Sequence, residues 1–141
     1  MRKNAFALAG LLIVVLLSLS GCADFAFNPI GRWTYTEERT YIDDVLTASI
    51  PADKGFDTAL VFTKSGTGYI DTGVSDHLPF TYEYTDTTVT ITRTSMNNVT
   101  SPSVFQVRDN GHELVAVIQE YDSQDEHGQT RHCRVETVFK R

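Results

Sequence analysis

The chain has 141 residues, a formal charge of −6 and a pI near 5.1. Nucleic-acid surfaces need clustered Lys and Arg, so an acidic chain of this kind is not built to bind phosphate backbones. Two cysteines leave no room for the disulfide framework on which many small exported domains rely. The N-terminus is nonetheless that of an exported protein. Arg2 and Lys3 precede fifteen almost wholly apolar residues, 5–19, and the small residues Ser18, Ser20 and Gly21 follow. Charge, apolar run and small residues in that order predict a secretory signal peptide over residues 1–21. The run is short of the roughly 20 residues that a permanent spanning helix needs.

Leu19-Ser20-Gly21-Cys22 ends the run. It resembles the bacterial lipobox, in which a branched apolar residue and two small residues precede a cysteine. That resemblance implies a diacylglycerol on the Cys22 sulfur, cleavage before Cys22 and acylation of the new amino group. Two or more chains make membrane attachment stable where one is marginal. By the same resemblance Ala23, a residue other than Asp, permits export to an outer membrane; Asp24 comes one place too late for the retention signal. The expected location is the bacterial cell envelope: the outer membrane in a diderm, the outer face of the plasma membrane in a monoderm.

Removal of residues 1–21 leaves 120 residues, one domain of ordinary size. It has ten Lys+Arg (twelve less Arg2 and Lys3) against eighteen Asp+Glu, a formal charge of −8. Such a surface is poorly suited to anionic headgroups, so the lipid has to hold the membrane. With Cys22 lipidated, Cys133 has no partner for an internal disulfide. It lies in an alternating stretch, where a free cysteine packs as a small hydrophobe. Residues 22–30 read as the lipidated terminus and tether. Eight extended residues reach at most about 28 Å, which keeps the domain close to the bilayer.

From residue 31 onward the chain reads as strands. Trp33 and Tyr35 alternate with Thr34 and Thr36. Residues 43–49 offer the one candidate helical turn. Ala59-Leu60-Val61-Phe62 and Gly68-Tyr69-Ile70-Asp71 flank a Gly-Thr-Gly turn. Phe80, Tyr82 and Tyr84 share a face opposite Thr81, Glu83 and Thr85, and Val89 and Ile91 repeat the pattern. Asp109-Asn110-Gly111, a hairpin signal, separates two apolar runs. Cys133, Val135, Thr137 and Phe139 alternate with Arg134, Glu136 and Lys140. Residues 94–103 and 122–129 read as polar loops. About eight strands joined by hairpins predict an all-β fold, an antiparallel up-and-down barrel, with a β-sandwich as the alternative. Closure removes the edges that invite aggregation.

The order Gly31-Arg32-Trp33, then strand–Gly-Thr-Gly–strand, then Phe80-Thr81-Tyr82-Glu83-Tyr84 running into Thr88-Val89-Thr90-Ile91-Thr92, resembles the small lipocalin-like domains of bacterial lipoproteins. The resemblance covers roughly residues 30–141 and implies a calycin-type barrel. It implies that Trp33 plugs the barrel base and that a late arginine packs on it: Arg134, or equally Arg131 or Arg141. The helix that follows the barrel in longer lipocalins has no room here.

Catalytic chemistry is hard to find. There is no nucleophile motif, phosphate loop or zinc-binding helix motif. His127, His132 and Cys133 lack zinc-ligand spacing, and His132 and Cys133 point to opposite faces of a strand. Asp122, Asp125 and Glu126 lack the calcium-loop pattern. No enzyme activity, metal or cofactor is expected. The candidate ligand-binding residues are the aromatics Trp33, Tyr35, Phe62, Phe80, Tyr82 and Tyr84, with Phe139 beside them. They suit either a core or an apolar pocket with hydroxyl handles. A hollow barrel favours a small hydrophobic ligand; a filled one favours an envelope protein-interaction or inhibitor module. Interior volume separates the two, with about 300 Å³ as the lower bound for a pocket.

Overall fold

The computed structural model describes residues 26–53, 55, 57–74, 77–94 and 100–141. The signal peptide expected over 1–21 and the lipidation site Cys22 lie outside the described residues. Nine strands follow one another: β1 (Gly31–Ile42), β2 (Val45–Pro51), β3 (Ala59–Phe62), β4 (Thr67–Asp71), β5 (Leu78–Tyr84), β6 (Thr88–Thr94), β7 (Thr100–Arg108), β8 (Glu113–Gln124) and β9 (Thr130–Lys140). Eight of them close an antiparallel barrel in the order β1-β3-β4-β5-β6-β7-β8-β9 and back to β1. The all-β barrel predicted from the hairpin pattern is thus the observed fold, with one strand more than the count.

That extra strand is β2. Residues 43–49 form no helical turn. Asp43 and Asp44 both take positive φ, 49° and 63°, and turn the chain straight into a hairpin with β1. Such a two-residue turn matches the natural twist of paired strands. The sequence of β2 shows no alternation because all seven of its residues are exposed.

Three bulges shape the top of the barrel. β1 gains a residue between Tyr35 and Glu37, β8 between Val117 and Gln119, and β2 opposite Thr40 and Tyr41. Each extra residue bends its strand and exchanges its faces. Beyond them β2, β1, β9 and β8 run on as a four-stranded ribbon that projects from the barrel.

The core follows the predicted alternation. Trp33, Leu60, Phe62, Phe80, Tyr82, Val89, Ile91, Phe105, Leu114 and Phe139 point inward and pack as one cluster. Phe27, inside the expected tether, is also buried at 3% exposure, and so is Pro29. The packed segment therefore begins ahead of residue 31. The two expected polar loops shrink: residues 100–103 belong to β7 and residues 122–124 to β8.

Candidate functional site

The lower half of the barrel is filled. Trp33 is fully buried at its base, and its Nε1 donates to the Pro29 carbonyl at 2.7 Å. Phe27 packs on it with ring centroids 6.0 Å apart. Arg141 also lies over the ring, its guanidinium carbon 4.7 Å from the ring centroid, and donates to the Asn28 carbonyl at 2.7 Å. Among the three arginines open to that role, Arg141 takes it. Arg134 stacks instead on Tyr41, and Arg131 pairs with Asp43 and Asp125. Above Trp33, Phe62 meets Tyr82 edge-on at 4.9 Å and Phe80 at 5.3 Å. The Tyr82 hydroxyl donates to the Thr63 carbonyl at 2.6 Å.

Four of the six candidate aromatics, Trp33, Phe62, Phe80 and Tyr82, are therefore packed against one another in the core. Phe80 also borders a shallow hollow of about 390 Å³ with Gly68 and Thr92. Tyr35 is half-buried against Phe139 and edges a small hollow of about 230 Å³ beneath Ile50 and Pro51. Tyr84 is half-exposed at the base beside Phe27. Burial pushes the Tyr35 and Tyr82 phenols above their ordinary value, and the nearby Glu38 carboxylate adds to the effect at Tyr35.

The upper half is split. β7 pairs with β8 only through Gln106–Arg108 against Glu113–Val115. Residues 100–105 then stay with β6, while residues 116–124 stay with β9. Between the diverging strands lies a cleft of about 640 Å³. Leu60, Ile70, Phe105, Ala116 and Phe139 line its depth. Val104, Val117 and Ile118, each about half exposed, lie at its mouth with Pro102, and the buried Val115 also borders it. Thr58, Ser103, Gln106 and Thr137 supply the polar groups, and among the described residues no charged side chain lines it. This is the chemistry of a small apolar ligand site: mostly hydrophobic walls with a few hydroxyl and amide handles. Of the aromatics singled out in the sequence, only Phe139 reaches it. Alternation marks Phe105, Leu60 and Ile70 as inward-facing, but nothing in the sequence signals where two hairpin-linked strands part.

The other concentration of functional groups is on the outer face of β1, β9 and β8. Glu136, fully buried, accepts from Arg108 at 2.8 and 3.0 Å and from Arg134 Nε at 3.1 Å. Glu113 is held by Arg39 at 2.9 and 3.1 Å and by Lys140 at 3.0 Å. Glu37 accepts from Ser49 and from Arg39, the latter at 2.7 Å. By register Val138 and Val115 lie between these groups, and they are 0% and 1% exposed. The stems of Arg39 and Arg108 have to cross them to reach their carboxylates, which covers apolar surface with aliphatic chain. No buried side-chain polar atom lacks a partner among the described residues. A network that satisfies itself in this way works as structure.

The same network makes stability pH-dependent. The Ser49 hydroxyl and the Arg39 guanidinium hold the Glu37 carboxyl at about 2 against an ordinary 4.5, and Arg39 likewise lowers Glu113. A carboxyl depressed by folding stabilises the fold above its unfolded value and loses that contribution as pH falls through its folded one. The urea midpoint is expected to drop between about pH 4.5 and pH 2. In Glu37→Gln the drop should be shallower, from a lower starting point. A midpoint in Glu37→Gln that equals the parent's at pH 6 and falls as steeply contradicts this assignment.

On the ribbon, His132 sits between Asp122 at 2.9 Å and Glu120 at 2.8 Å, which raise its pKa in that order. Cys133 points the opposite way, buried and free, with the Ser123 hydroxyl 3.4 Å from its sulfur. Asp125 caps its own turn, accepting from the His127 and Gln129 amides at 2.9 Å each. Among the described residues no group of three or more His, Cys, Asp or Glu is arranged to hold a metal ion. Comparisons with protein-family models, with curated proteins and with solved structures found no match, so the functional reading rests on the barrel and its cleft.

Proposed function

We propose that this chain is a membrane-anchored lipoprotein of the bacterial cell envelope whose lipocalin-like barrel binds a small hydrophobic ligand in the cleft between β7 and β8. The observation that carries this reading is the uncharged, apolar cleft of about 640 Å³, a size within the usual range for small-molecule sites. The lipobox-like Leu19-Ser20-Gly21-Cys22 supports the anchor. Binding without catalysis fits a cleft that, among the described residues, offers only Thr, Ser and Gln as polar groups.

The test is calorimetric. The chain is delipidated under denaturing conditions, refolded and titrated with fatty acids and other uncharged or singly charged hydrophobes. Saturable one-to-one binding is expected. Ala116→Phe, which fills the depth of the cleft, should weaken it about tenfold or more. Absence of binding across the series, or binding indifferent to Ala116→Phe, sinks the proposal. The second reading, an envelope protein-interaction module, is favoured by the exposed apolar residues of the ribbon, Val45, Leu46, Ile50 and Tyr121. Crosslinking in intact cells that captures no protein partner counts against it.

A further inference from the structure

Among the described residues the ribbon has two open edges, and their chemistry differs. A free strand edge presents unpaired N–H and C=O groups, and proteins usually guard it with charge. The β8 edge is guarded in this way by Glu120 and Asp122, both exposed. The β2 edge is not. Val45-Leu46-Thr47-Ala48-Ser49-Ile50-Pro51 contains no charged residue, and Val45, Leu46 and Ile50 are 64%, 51% and 61% exposed.

The register of the hairpin says which backbone groups that edge offers. Ile42 and Val45 flank the two-residue turn, so they form the pair that exchanges both backbone hydrogen bonds. The next residue, Leu46, therefore directs its N–H and C=O away from β1. Thr47 is the extra residue of the bulge, and Ala48 faces Thr40. Ser49 opposite Arg39 again points its backbone groups outward, and Ile50 points inward. The free edge thus carries two complete donor–acceptor residues, Leu46 and Ser49.

An antiparallel copy of the same strand meets both in one register. Leu46 falls opposite Ser49 of the second copy and Ser49 opposite its Leu46, which makes four backbone hydrogen bonds about a two-fold axis. The side chains agree with that register. Val45 and Ile50 share the face that continues the barrel interior, since they pair with Ile42 and Glu38; Leu46 and Ser49 share the other. Val45 then lies against Ile50 across the seam on one face, and Leu46 against Ser49 on the other. Joining through β8 would instead set Glu120 and Asp122 of two strongly acidic chains against each other.

We propose that the uncharged edge of β2 is the seam of a two-fold homodimer, in which the two ribbons join as one eight-stranded sheet. An isologous seam of this kind closes on itself and uses up the edge, so it does not propagate.

The experiment uses the whole chain extracted in mild detergent, with the protein mass of the particle measured by sedimentation and light scattering. Two chains per particle are expected. Leu46→Pro removes only an N–H that faces away from β1, where an edge strand tolerates proline. It should yield one chain per particle with the parent's circular dichroism. Leu46→Cys with Ser49→Cys should give a covalent dimer on mild oxidation, far above the yield of the parent chain or of Leu46→Cys alone. This pair decides the matter should Leu46→Pro fail to fold. One chain per particle across tens of micromolar, a larger assembly, a dimer untouched by Leu46→Pro, or no crosslink in the double variant overturns the proposal.

Discussion

Trp33→Ala is expected to cost roughly 3–5 kcal/mol and to free the segment that leads into the barrel. The indole is fully buried, and three separate groups depend on it. Phe27 packs on it, Arg141 lies over its ring, and the Pro29 carbonyl takes its N–H. Arg141 in turn holds the Asn28 carbonyl. Truncation leaves a cavity and an orphaned carbonyl, and removes the partners that fix residues 27–30. Urea unfolding measures the stability. Hydrogen exchange at residues 27 and 28 measures the second effect, and it should rise before global unfolding. Trp33→Phe keeps an aromatic ring but loses the hydrogen bond and part of the indole volume, so it should cost less, about 2–3 kcal/mol. Equal costs for the two variants contradict the plug. If the chain is lipid-anchored at Cys22, loosening residues 27–30 lengthens the tether and lets the domain sit farther from the bilayer.

Gly68→Ala is the second large effect, expected at the upper end of about 1–3 kcal/mol. A Cβ at position 68 would lie 2.3 Å from the Val61 carbonyl oxygen and 2.5 Å from the Phe80 ring. Gly68 pairs with Phe62 on one side and Phe80 on the other, and the aromatic rings occupy the space a side chain would need. The backbone carbonyl has nowhere to go, because β3 is held between β1 and β4. The cost is one of packing, since Gly68 does not adopt positive φ. Phe80→Leu in the same chain should relieve the part due to the ring and leave the part due to the carbonyl. A double-mutant cycle measures that coupling; strict additivity of the two changes would show that the ring is not what Gly68 accommodates.

Most of the barrel was legible from local pattern. Phe80 and Tyr82 on β5, Val89 and Ile91 on β6, and Phe139 on β9 point inward as period-two alternation requires. Asp109-Asn110-Gly111 turns between β7 and β8 with positive φ at all three residues. Where pattern failed, a local rule was overruled by distant partners. β2 has no alternation because neither of its faces is covered. Glu136 occupies an outward position in the alternation yet is fully buried, because Arg108 and Arg134 converge on it. Trp33 has a cationic neighbour as the resemblance implied, but only the path of the last residue decides that it is Arg141.

Residue order alone determined which side chains line the inside of each strand and where most hairpins turn, because period-two alternation and positive-φ turns are properties of neighbouring residues. Tertiary structure decided where the barrel opens, which strand is left with a bare edge and which charges are buried. Those depend on bulges and on pairings between strands far apart in the chain. Four of the six candidate aromatics fill the base of the barrel, while the split between β7 and β8 opens a cleft on Leu60, Ile70, Phe105 and Phe139. Whether an inward side chain becomes core or pocket wall is settled by whether the neighbouring strand stays paired above it, and no residue encodes that by itself.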